Sequence, residues 1–180
     1  ASRRAYRRQA EELNILNQII SATVASNDEQ TVMDMACFKL GHFYRAHHTL
    51  ILQYQPETDA VTLQANYSQN KPPVAAKSLP LKDSAQLTAV FITQHTLMCP
   101  TISGSLQQYL GVSDRCQAIL RLLKIEDSPI GFFVLLLPGT HQMEERDLLL
   151  VDMMTDELEL GLTKVRLHGR LQAHAAELET

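Results

Sequence analysis

The sequence predicts an α+β fold: one antiparallel sheet of about five to six strands, helices on both faces, and long helices at the two ends. Three observations carry this expectation. Tyr6, Leu13, Leu16, Ile20 and Val24 recur at helical steps and give the N-terminal stretch an amphipathic stripe. Two apolar runs, Gln117 to Ile125 and Phe132 to Leu137, flank the polar stretch from Glu126 to Gly131 and read as buried strands joined by a tight turn. A helical pattern then runs from about Glu144 to Glu179, longer than globular helices usually are.

The elements follow in order. Ser26-Asn27-Asp28-Glu29 ends the first helix and caps a second, whose apolar positions are Val32, Met35, Ala36, Leu40 and Phe43. His48 to Tyr54 alternates as a strand. Pro56-Glu57-Thr58-Asp59 is a turn, and Ala60 to Tyr67 returns to complete a hairpin. Lys71-Pro72-Pro73 marks a loop, and Lys77 to Leu81 a short strand. Asp83 or Ser84 caps a middle helix reaching His95, with Leu87, Val90 and Phe91 on its inner side. Leu97 to Ile102 reads as a short strand, and Ser103 to Ser113 as an irregular loop or short helix.

Composition narrows the function classes. The 180 residues, 45% hydrophobic, suffice for one sizeable core, and the net charge of −4 argues against a nucleic-acid-binding body. Arg3, Arg4, Arg7 and Arg8 concentrate positive charge at the start; they suit anionic lipid or nucleic acid, but a solvated helix end is the plainer reading. No window holds the ~18 apolar residues of a membrane span, and no signal peptide opens the chain. It begins at Ala1 without a Met, which points to a segment of a longer protein. Cys37, Cys99 and Cys116 are odd in number and scattered, which suits a reducing cytoplasm rather than a disulfide framework.

The C-terminal helix carries two series. Val151, Met154, Leu158, Leu162 and Val165 are placed to cover the sheet, whereas Leu160, Leu167, Leu171, His174 and Leu178 form a seam. With Leu13, Leu16 and Ile20 of the first helix, the leucines of that seam are the expected homodimer interface. No nucleophile–base pair, Gly-rich phosphate loop or metal-ligand spacing is recognisable. His47 and His48 are adjacent, so on a strand they point to opposite faces and do not converge on one ion.

The order helix, helix, hairpin, short strand, helix, short strand, loop, hairpin, long helix resembles the GAF fold from about Leu13 to Val165. The closing strand pair with its Pro129-Ile130-Gly131 and the terminal helix carry most of the likeness; the related PAS fold lacks the two-helix opening. The resemblance implies a sensory or regulatory domain of a bacterial signalling protein rather than an enzyme. It also implies a small ligand between the sheet and the middle helix, and an output domain in the same polypeptide. It divides the chain into an N-terminal signalling helix (1–25), the sensory domain (26–165) and a coiled-coil linker (166–180).

Ligand classes of the family leave checkable marks. Bilin-binding relatives use a Cys in the loop before the penultimate strand, and the loop from Ile102 to Leu110 has none. The Asn-Lys motif of cyclic-nucleotide-binding relatives has no counterpart, nor has the Cys segment of free methionine-sulfoxide reductases, so Cys99 and Cys116 read as small buried hydrophobes. No cofactor is implied. The candidate ligand-binding residues are Arg121, Gln117, Phe91, His95, Cys99 and Tyr109. Arg121 stands out: a charge in the middle of an apolar strand, on the same face as Gln117, needs either an anionic ligand or a carboxylate such as Asp156 or Glu157 on the closing helix.

Overall fold

The computed structural model describes residues 2–25, 28–68, 77–112 and 115–179. The helices are α1 (Ser2–Ala25), α2 (Glu29–Tyr44), α3 (Ala85–Thr93), α4 (Gly104–Leu110) and α5 (Glu145–Glu179). The strands are β1 (His48–Gln55), β2 (Ala60–Ser68), β3 (Ser78–Pro80), β4 (Leu97–Cys99), β5 (Gln117–Ile125) and β6 (Ser128–Leu137). They form one antiparallel sheet in the order β3-β2-β1-β6-β5-β4, so the two hairpins meet at the β1–β6 pair in its centre. The α+β, GAF-like expectation matches this architecture. The loop expected around Lys71-Pro72-Pro73 lies outside the described residues.

Local chemistry explains the element ends. Asp28 caps α2 by accepting from the Gln30 N–H, and Ser84, not Asp83, caps α3 by accepting from the Leu87 N–H. The strand expected from Leu97 to Ile102 stops at Cys99, and 104–110 is a short helix. The β5–β6 turn is tighter than its polar residues suggest: Glu126 and Asp127, with φ of 53° and 63°, form the whole loop, and Ser128 to Gly131 belong to β6. Two successive positive φ values match the twist of the flanking strands, so the short loop wins over the longer one.

The sheet is apolar on both faces because successive side chains alternate. Ile51, Ile119, Leu123, Phe133 and Leu135 join a core under α2 and α5, with Met33, Leu40, Val151, Met154 and Leu158 above them. Leu50, Leu52, Leu120, Phe132 and Val134 face the other way and pack against Leu87 and Val90 of α3 and Leu106 of α4. Two glycines permit close approach. A Cβ on Gly41 would stand 2.4 Å from the Tyr67 ring and 2.6 Å from Thr49 Oγ1, so α2 lies close on β1 and β2 only because none is there. Gly131 plays the same part between β6 and β1.

Candidate functional site

Among the described residues, the space between the sheet and α3–α4, where the resemblance places a ligand, is closed at its centre. Leu50, Leu52, Val61, Leu87, Val90, Ala118, Leu120, Phe132, Val134 and Leu136 are each 0% exposed, so no water-sized space abuts them. Polar and aromatic groups ring the margin. Phe91 lies between Tyr54 and Phe132, with ring centroids 5.0 Å and 6.4 Å away, and the Tyr109 hydroxyl donates to the Lys77 carbonyl. Cys99 is buried in this layer, and burial pushes its thiol up to about 11. His95, just past the end of α3, is exposed.

Arg121 and Gln117 lie on the opposite face, so the six candidates are not brought together. Alternation along β5 turns Arg121 towards α5, where its guanidinium meets Asp152 at 3.2 Å, Glu159 at 3.1 Å and the carboxylate of Asp156. Glu157 is not among its partners. Asp152 also accepts from the Thr96 hydroxyl at 2.5 Å, while Glu159 accepts from the Lys124 backbone N–H. One side chain therefore joins the segment after α3, the middle of β5 and the long helix. Gln117 donates to the carbonyls of Pro138, Gly139 and His141, which pins the loop before α5.

The remaining singled-out residues are internal. Cys37, Cys99 and Cys116 are buried. His48 pairs with Ser68 at 2.7 Å and His47 contacts Cys116 at 3.5 Å, on different partners as their adjacency requires. Among the described residues no three His, Cys, Asp or Glu side chains come together as metal ligands.

The second feature is a helical face. At about 100° per residue, Leu149, Met153, Leu160, Leu167, Leu171 and Leu178 fall within about 40° of one another on α5, nearly opposite its buried side. Each exposes between 45% and 75% of its surface. The seam thus begins earlier than its sequence reading, which omitted Leu149 and Met153; their steps of four and seven continue the spacing. Leu13 of α1, also exposed, lines a groove of about 470 Å³ with Leu149, Leu150 and Met153. The side chains of Leu16 and Ile20 lie outside the described ones. Arg8 holds Asp147 and Arg146 holds Glu12, which bolts α1 to the start of α5. From Leu167 onward every described residue of α5 is exposed, so the helix leaves the body there.

No protein-family model matches the sequence, and no curated protein sequence is significantly similar to it. Solved structures are similar in fold. The phycocyanobilin-bound GAF domain of a cyanobacterial phytochrome superposes with a TM-score of 0.73 at 13% identity, over 87% of this chain and 96% of that one. The GAF domain of a phosphoenolpyruvate-protein phosphotransferase from Coxiella burnetii gives 0.73 at 14%, over 89% and 98%. The free methionine-R-sulfoxide reductase of Neisseria meningitidis, solved with its substrate, gives 0.72 at 14%, over 88% and 91%. The chain has the GAF fold.

Proposed function

We propose that this chain is a regulatory GAF domain of a bacterial signalling protein that associates with a second copy through α1 and α5. In this reading it acts in the cytoplasm, and α5 passes its state to an output domain such as a histidine kinase, a diguanylate cyclase or a transcription regulator. The observation that carries the reading is the exposed leucine and methionine stripe on α5, which runs along the side away from the sheet and continues past the body. A soluble helix exposing such a stripe gains by burying it against its like. The steps of four and seven favour a second copy of the same helix as occupant, and Leu13 extends the patch onto α1. The contacts of Asp152 with Thr96 and Arg121 supply a physical link by which movement near α3 reaches α5. Light scattering checks the association: a dimer is expected for the wild type and a folded monomer, still melting cooperatively, for Leu160→Glu with Leu167→Glu. A monomeric wild type refutes it.

A small ligand on the α3–α4 side is the second reading. It is favoured by the aromatic margin of Tyr54, Phe91 and Tyr109, and by structural neighbours carrying phycocyanobilin or a substrate. Entry requires the closed aliphatic layer to part. A thermal-shift screen against nucleotides, haem, amino acids and carboxylates tests it, since a ligand of the folded state raises the melting temperature. A shift abolished by Phe91→Ala supports this reading, and no shift at millimolar ligand leaves the associating module. Thiol catalysis is disfavoured, because Cys99 holds its proton at neutral pH.

A further inference from the structure

We infer an anion-binding site between the first turns of α1 and the end of α2, suited to a small phosphorylated molecule. It lies on the side of the sheet away from α3 and α4 and does not depend on the association of α5. A cleft of about 340 Å³ opens there, lined by Arg4, Arg7, Arg8, Tyr44 and His141, with Glu11 the one acidic lining residue. That volume is at the small end of ligand sites.

The charges are not all spent within the protein. Arg8 is committed to Asp147 at 3.0 Å and to Glu12 at 3.4 Å, and Asp147 also accepts the Glu144 backbone N–H. Arg4 and Arg7 lie three residues apart on the same helical face, and no ion pair within 4 Å engages either among the described residues. Two guanidinium forks so placed match a phosphate group better than a single carboxylate.

Tyr44 supplies an independent pointer. It is 8% exposed, and its buried hydroxyl has no hydrogen-bond partner among the described residues. Such a group is costly to leave unmet, and most buried hydroxyls in folded proteins find a partner. Burial first, and then the nearby Asp147, hold its proton well beyond the usual tyrosine range, so it remains a donor at neutral pH. Tyr44 lines the cleft, and a ligand oxygen that reaches its covered hydroxyl would give that donor its acceptor. His141 packs edge-on to the Tyr44 ring and holds Asp147 at 3.3 Å, which shapes the same wall.

Titration calorimetry of the 180-residue chain with pyrophosphate, at constant ionic strength, tests the assignment. Saturable one-to-one binding is expected. Arg4→Gln with Arg7→Gln is expected to weaken it at least tenfold, and Tyr44→Phe roughly tenfold, the order of a hydrogen bond to a charged group. Tyr44→Phe is expected to leave the melting temperature equal or higher, since it removes an unmet polar group, and this separates a binding role from a merely structural one. Unchanged affinity in Tyr44→Phe overturns the site. So does binding that sulfate reproduces without saturation. Retention on phosphatidylglycerol vesicles or RNA that pyrophosphate does not displace would assign the arginines to a macromolecular surface instead, and overturns it too.

Discussion

Gly131 stands where β6 passes closest to β1. A Cβ there would lie 2.0 Å from the Leu52 carbonyl oxygen, and that oxygen belongs to backbone in the centre of the sheet. The clash cannot be relieved by a side-chain rotation, so Gly131→Ala is expected to cost about 3 kcal/mol, read as a lower urea midpoint at constant slope. Sequence alone placed Gly131 within the closing strand pair but gave no measure of this approach. Arg121 illustrates the opposite balance. Its burial in an apolar strand and its need for a partner were legible from its neighbours, and Asp156 was a named alternative. What was not legible was the face: one step of alternation decides between a ligand cavity and α5, and only the packing of α5 settles that step.

At the scale of elements, period did most of the predictive work. The residues assigned to cover the sheet, Val151, Met154, Leu158, Leu162 and Val165, are all buried, and the seam leucines are all exposed. The two central hairpins were equally readable, the first from alternation on either side of a turn and the second from two long apolar runs flanking a polar one. The short elements were not. β4 spans Leu97–Cys99 and α4 Gly104–Leu110, lengths at which neither period completes enough cycles to declare itself, and the cap of α4 makes no side-chain hydrogen bond. For α5 the separation of its two parts has a direct test. Deleting residues 167–180 removes no described buried side chain, so the light-scattering mass is expected to fall towards the monomer, while at a concentration where both chains are monomeric the melting temperature is expected to hold. A lowered melting temperature would mean that the projecting turns stabilise the body itself.

The molecule as a whole responds to alkali through groups spread over both cores. Cys37 under α2, Cys99 beside α3 and Tyr44 at the end of α2 all keep their protons to higher pH when folded, chiefly because burial disfavours the charged form. The unfolded thiols and phenol titrate near 9.0 and 10.0. Above those values the folded state binds more protons than the unfolded one, so stability falls as pH rises. The melting temperature is expected to be level up to about pH 8.5 and to drop between about 9 and 11, with the lower part of the drop reduced in Cys99→Ala. The α1–α2 cleft was the least legible feature of the molecule. The Arg4–Arg7 pair, Tyr44 and His141 are distant from one another in sequence, and no spacing rule announces a meeting that tertiary packing creates. The projecting end of α5 has a further consequence. Its described ion pair with the body is Arg170 with Glu126, on the two-residue turn of β5–β6. Beyond Arg166 the helix extends about 20 Å, so a pivot of about 5° at that residue swings its tip by about 2 Å. A small change of packing at Arg166 would therefore be magnified along the projecting turns.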